Sequence, residues 1–209
     1  MTHVGISFDD TLVDQLHWAR MLEHLGLQGV FYVSPERLGR NVDLQRKEWY
    51  LTEDHLARIA EHGHLIGNHT WQHECPALCA DAVVLESIHR VSDWLDARGY
   101  EPKLLALPNG VRGGGWGDEI LETLQAEGYA LRDILINNDE RTAPSGLPAA
   151  LEDACVPLRE DVDLRYFHDS HNVKDLDLAT MLCGIAEAIK AGTATLVLPA
   201  EGELQWQKA

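Results

Sequence analysis

The chain is short of positive charge. Its 209 residues hold 17 Lys and Arg against 34 Asp and Glu, a formal charge of −17. A surface of that sign repels phosphate backbones and anionic headgroups, which argues against nucleic acid or an anionic membrane as partner. Long apolar runs are missing as well: none approaches the roughly 20 residues of a membrane span. No leader pattern precedes the first strand, which begins almost at Met1, so a cytoplasmic location is expected. Cysteine is sparse, at Cys75, Cys79, Cys155 and Cys183, and in that compartment the thiols are expected to be reduced. Internal repeats, low-complexity tracts and breaks in composition are absent, so a single domain over residues 1–209 is expected. The glycine-rich stretch at 113–117 is not followed by Lys-Ser/Thr and is no phosphate loop.

What is present is a chain able to bury a full core, 45% hydrophobic and 24% charged. Strand-like and helix-like segments alternate. The alternating run His3 to Phe8 stops at Asp9-Asp10-Thr11. Leu12, Leu16, Ala19, Leu22 and Leu25 mark one helix face, which Gly26 ends. Short strands follow at 29–33 and from Leu65, on either side of a helix that Thr52 caps. A long amphipathic helix over 81–98 leads to a strand at 103–107, a helix over 118–127 and a strand from Tyr129 to about Ile136. Residues 137–153 are poorly patterned. Short strands at 154–158 and 164–167, a helix over 175–190 and a strand at 193–198 complete seven or eight strands. The alternation predicts a parallel α/β fold, as a barrel or a doubly wound sheet. Both collect their sites at the carboxyl ends of strands. Asp9-Asp10, His69-His73 and Pro108-Asn109-Gly110 all fall at such ends.

Those three places carry the candidate chemistry. In Gly67-Asn68-His69-Thr70-Trp71-Gln72-His73 the Gly-Asn pair reads as a helix N-cap. A helical turn beginning there would put both imidazoles on one face, where they could hold one ion. The adjacent carboxylates Asp9 and Asp10 can divide the work, one as ligand and one acting on water. A zinc set of His69, His73 and either Cys75 or Cys79 is an alternative. Trp71 reads as the floor of a sugar site or as packing. His3, His17, His24, His55, His62, His64 and His89 lack partner spacing and read as surface or boundary residues.

Ser-Phe-Asp-Asp at 7–10, Gly-Asn-His-Thr-Trp-Gln-His at 67–73 and Leu-Pro-Asn-Gly at 107–110 resemble, in order and spacing, the polysaccharide deacetylases. These are the NodB-homology proteins, or family-four carbohydrate esterases. The likeness is good over about 3–135 and weak beyond. It implies a distorted (β/α) barrel of about seven strands. It also implies one divalent metal, most often zinc, with cobalt, nickel, manganese or iron as alternatives. The resemblance makes Asp10, His69 and His73 the metal ligands and Asp9 the general base for the attacking water. It gives the backbone N–H of Asn109, after Pro108, to the developing oxyanion.

Three positions depart from the family pattern. Many members carry an arginine two residues before the proline, where it orients the base; here that residue is Ala106, with Arg112 nearby as a substitute. Asn109 stands where tyrosine is commoner. The late Leu-x-His that usually supplies the general acid is absent from Leu196-Val197-Leu198-Pro199-Ala200. His168 and His171 replace it as candidates, with Asp169 placed to orient one of them; the same polar run can equally be a solvated loop. The resulting expectation is a metal-dependent hydrolase that removes acetyl from an N-acetylated amino sugar. The rivals are a same-fold hydrolase of a non-sugar C–N amide and a metal-bearing glycan binder without turnover. Carbohydrate or a small molecule is the expected partner, and the sequence leaves the oligomeric state open.

Overall fold

The computed structural model describes residues 2–40, 49–109, 115–132, 155–159, 164–169, 175–196 and 198, with backbone alone at 2–3, 155–159, 164–169 and 175–177. Strands β1 (Thr2–Phe8), β2 (Val30–Val33), β3 (Leu65–Asn68), β4 (Leu104–Ala106) and β5 (Ala130–Arg132) alternate with helices α1 (Gln15–Leu25), α2 (Glu53–Glu61), α3 (Asp81–Asp96) and α4 (Asp118–Ala126). Then come β6 (Cys155–Arg159), β7 (Leu164–Asp169), α5 (Asp175–Lys190) and β8 (Ala194–Leu196). The eight strands form one sheet in the order β5-β4-β3-β2-β1-β7-β6, with β8 also paired to β1. All pairings are parallel except β6 with β7. This is the expected α/β fold, a parallel sheet curled as in a barrel with helices around it.

Alternation sorts the side chains by face. Val4, Ile6 and Phe8 of β1 join Phe31, Val33 and Ile66 in the outer core under α1, α2 and α5. Phe8 stacks on Phe31 with ring centroids 4.8 Å apart. The opposite face holds a smaller cluster of Val30, Tyr32, Leu104, Ala106 and Ala130, and Ser7 and Arg132 lie buried on that side too. Gly67 is required here: a Cβ would stand 2.8 Å from two ring carbons of Tyr32 and 3.1 Å from the Leu104 carbonyl.

Two local expectations change. The first helix begins at Gln15, not Leu12, because Leu12 bridges Tyr50 and Thr11 O accepts from Leu51 N. His64, expected at the boundary, is 4% exposed. Its Nε2 lies 2.8 Å from the Ala19 carbonyl, while its Nδ1 accepts from Gly29 N at 3.3 Å. That arrangement fixes a neutral ring with the proton on Nε2, joining α1 to the strands.

Burial is the main cause that pushes the His64 pKa below its ordinary 6.5, with His62 adding to it against the Ala19 bond and Glu23. As pH falls through about 6.5 the unfolded chain takes up a proton at His64 that the folded chain does not, so acid favours unfolding. His64→Gln is therefore expected to flatten the loss of stability as pH falls below about 6.5, by about 1.4 kcal/mol per unit of pKa difference removed. Urea unfolding of both proteins across that range checks this; parallel pH profiles would refute it.

Candidate metal centre and active site

Three strand ends build the site. After β1 the chain passes through Asp9, Asp10 and Thr11, with Asp10 and Thr11 both left-handed at φ 74° and 66°. Such backbone costs a non-glycine residue about 1–3 kcal/mol. It is held by Thr11 Oγ1 accepting from Ser34 N at 2.8 Å and by the Leu51 bond to Thr11 O. After β3, Thr70 and His73 are left-handed, and after β4 so is Asn109. These five are all the described non-glycine residues with positive φ. Backbone strain has collected in the three candidate loops, as it does where function over-determines geometry.

The helix expected to start at Asn68 does not form. The Asn68 side chain turns the chain instead: its Oδ1 accepts from Thr70 N at 2.9 Å, and its Nδ2 donates to the Ile88 carbonyl and to Ser92 Oγ. An Asx turn of this kind competes with helix for the same N–H groups. The two imidazoles converge all the same, with ring centroids 4.8 Å apart. His69 Nδ1 lies 3.0 Å from the Ala106 carbonyl, which directs Nε2 toward the carboxylates. Ser34 Oγ donates to the His69 carbonyl at 2.9 Å. This second layer fixes the tautomer and angle of a ligand ring.

Asp10, His69 and His73 each offer an atom to one point, all within 4.8 Å of one another. Asp10 Oδ1 is 3.2 Å from His73 Nε2 and 3.7 Å from His69 Nε2. It also accepts from Arg37 Nη1 at 2.8 Å. Burial opposes ionisation of Asp10, but bonds from His69 and His73 and their charge outweigh it and hold the carboxyl well below the usual carboxylate range. Burial is also the main cause that lowers the His73 pKa, against the pull of Asp10. An ionised carboxylate and a neutral imidazole are the states a divalent cation needs. Two nitrogens and one oxygen from the protein are the three-ligand donor set that catalytic zinc-type sites use. The residues present therefore fit the metal that the motifs imply. Neither Cys75 nor Cys79 belongs to this group; Cys75 Sγ instead accepts from Asn109 Nδ2 at 3.4 Å.

Asp9 stands beside the trio, 3% exposed, with Oδ2 3.9 Å from His69 Nε2. It also meets Arg132, whose Nη2 forms an ion pair with Oδ2 and whose Nη1 donates to Ser7 Oγ at 3.1 Å. The sequence reading missed Arg132. Its position at the end of a strand was a signal, but the partner is 123 residues away. Arg112 lies outside the described residues.

The Pro108-Asn109 turn is braced by Trp116, whose indole N–H donates to the Pro108 carbonyl at 3.2 Å. Left-handed Gly115 packs against the Ala77 backbone, where a Cβ would meet Ala77 N at 2.8 Å. Trp71 is committed to its surroundings. Its indole N–H donates to Glu36 Oε2 at 3.0 Å and the Arg90 guanidinium covers its ring 3.6 Å from the centroid. A sugar stacked on the face that Arg90 covers would have to displace it. His168 enters through its backbone alone, paired in register with Ser7, and Asp169 with Phe8. His171 lies outside the described residues.

The sequence model of the family described as polysaccharide deacetylase matches residues 2–131, more than half of the chain, and the protein belongs to that family. Among solved structures it is similar to a family 4 carbohydrate esterase from Streptomyces lividans in complex with acetate. That match has 15% identity and a TM-score of 0.64, over 94% of this chain and 92% of the other. A polysaccharide deacetylase from Bacillus cereus matches at 16% identity and a TM-score of 0.66, over 97% and 94%. Peptidoglycan deacetylase PdaC from Bacillus subtilis matches at 18% and 0.60, over 94% and 87%. At these identities the likeness speaks for the fold. No curated protein matches the sequence. No helix among the described residues is long and apolar enough to cross a membrane.

Proposed function

We propose that the protein is a metal-dependent N-deacetylase that hydrolyses the acetamide of an N-acetylated amino sugar. The observation that carries this reading is a buried carboxylate, Asp9, set beside a three-donor cluster at adjacent strand ends and excluded from it. A site built only to hold an ion has no use for that second carboxylate. Asp10, His69 and His73 would hold the metal, which when bound supplies Lewis acidity and lowers the pKa of water. Asp9 accepts the proton of the attacking water. By the family likeness, the backbone N–H of Asn109, which sits in a left-handed turn, would take the oxygen on which charge develops. A general acid must then protonate the departing amine. His168 is the candidate supported by the backbone, since it lies in register with Ser7, two residues before Asp9.

The saccharide class rests on the family, whose description is polysaccharide deacetylase, and on relatives described as deacetylases of peptidoglycan. Ala106 in place of the family arginine and the missing late histidine were the reasons to weigh a non-sugar amidase, and the lost general acid was the reason to weigh a binder without turnover. The Asp9–Arg132 ion pair counts against the binder. The test is acetate release from N-acetylglucosamine oligomers, a sugar-nucleotide and a panel of simple N-acetyl amides, with zinc content measured alongside. Release from the sugars that a chelator abolishes and zinc restores is expected. Release from the non-sugar amides alone would move the assignment to the rival hydrolase.

A further inference from the structure

We infer that Arg132 is the positioning residue for Asp9, moved one strand sideways from β4 to β5. This rests on Asp9 being the base. The register shows the move: Ala106, at the family's arginine position, is the direct pairing partner of Arg132. Paired residues on neighbouring strands stand about 4.8 Å apart and share a face. A long side chain rooted at either position can therefore reach the same carboxylate. At 106 the chain has the smallest side chain with a Cβ, fully buried in the same cluster as Tyr32 and Ala130. At 132 it has the largest fully buried side chain of the described residues.

Arg132 has the contacts of a residue placed for this purpose. Its guanidinium pairs with Asp9 Oδ2, donates to Ser7 Oγ at 3.1 Å and lies over the Tyr32 ring at 4.8 Å. Ser7 stands two residues before Asp9 on the same strand, so one guanidinium grips the strand and the carboxylate that follows it. Gln15 Nε2 also donates to the Asp9 backbone carbonyl. A guanidinium planted in an apolar interior is strongly unfavourable without its counter-charge. The ion pair thus ties the Asp9 carboxylate to Arg132 while Oδ2 lies 3.9 Å from His69 Nε2.

The experiment compares wild type, Arg132→Ala, Arg132→Lys, the transposed double variant Ala106→Arg/Arg132→Ala, and Asp9→Asn with and without Arg132→Ala. For acetate release, Arg132→Ala is expected to lower kcat about 10²-fold, the effect of a reacting group misplaced by about 1 Å. KM and bound zinc should stay within about twofold, since the guanidinium is engaged with Asp9, Ser7 and Tyr32 and the metal donors are Asp10, His69 and His73. Arg132→Lys should keep part of the rate, and the transposed variant should recover at least about tenfold of it. Thermal unfolding is read in parallel. The midpoint shift caused by Asp9→Asn should shrink by at least half in the Arg132→Ala background, and the transposed variant should regain the coupling. A kcat for Arg132→Ala within about threefold of wild type would overturn the inference, as would a loss confined to KM or zinc content. An additive thermal cycle, or a transposed variant as inactive and uncoupled as Arg132→Ala, would do the same. If wild type releases no acetate from any substrate, the functional reading fails, and the thermal cycle alone decides whether Arg132 holds Asp9.

Discussion

Asp9→Asn is expected to bind zinc like the wild type and to release acetate about 10²–10⁴-fold more slowly. The substitution keeps the shape of the side chain and removes its ability to take a proton. Zinc should stay because the donor trio is Asp10, His69 and His73, and Asp9 Oδ2 is only a neighbour, 3.9 Å from the His69 ring nitrogen. Stability will fall as well. The change leaves a buried guanidinium facing an amide, and breaking a buried pair costs about 3–5 kcal/mol. Zinc stoichiometry and kcat should therefore be measured well below the unfolding midpoint of the variant. Turnover within tenfold of wild type would end the assignment of Asp9 as base. Loss of zinc together with activity would mean that Asp9 is a ligand.

The legible part of this protein was the part encoded locally. A strand that stops at Asp9-Asp10, another at Asn68 and a third before Pro108 can each be read from a few neighbouring residues, and parallel α/β topology then puts those ends on one rim. Thr52 read correctly as a cap, although the reciprocal partner is His55, whose Nδ1 accepts from Thr52 N. Gly-Asn-His misled because Asn at a strand end serves an N-cap or an Asx turn equally well. The choice was made by Ile88 and Ser92 on α3, which take the Asn68 amide and stand 20 and 24 residues away. His64 misled for a related reason, since its two partners, on α1 and before β2, carry no spacing signal. Arg132 is the extreme case. Ala106 looked like a missing part, and only the pairing of β4 with β5 shows that the charge is still there, one strand over. The three strained loops were invisible as strain, because Asp, Thr, His and Asn at those positions do not announce a left-handed backbone as glycine would.

Zinc is expected to raise the unfolding midpoint of the wild type by roughly 5–10 °C at a hundredfold excess over its dissociation constant, and to leave Asp10→Ala and His73→Ala unmoved. Binding to the folded chain alone contributes about 2.7 kcal/mol at that excess, and a domain of this size shifts about 2–4 °C per kcal/mol. The effect should weaken in acid. A cation competes with protons for the imidazoles, and burial holds His73 below its ordinary 6.5, so the loss should fall below that pH. Asp10, held ionised by its histidine neighbours, should remain available as a ligand throughout. Cys75→Ser and Cys79→Ser should keep the full zinc shift, because neither thiol belongs to the cluster. A zinc shift abolished by either serine variant would replace His69-His73-Asp10 with a structural thiolate site. A shift abolished by the aspartate and histidine changes alone leaves an open three-donor centre beside Asp9, the arrangement that hydrolysis requires and a closed structural site does not provide.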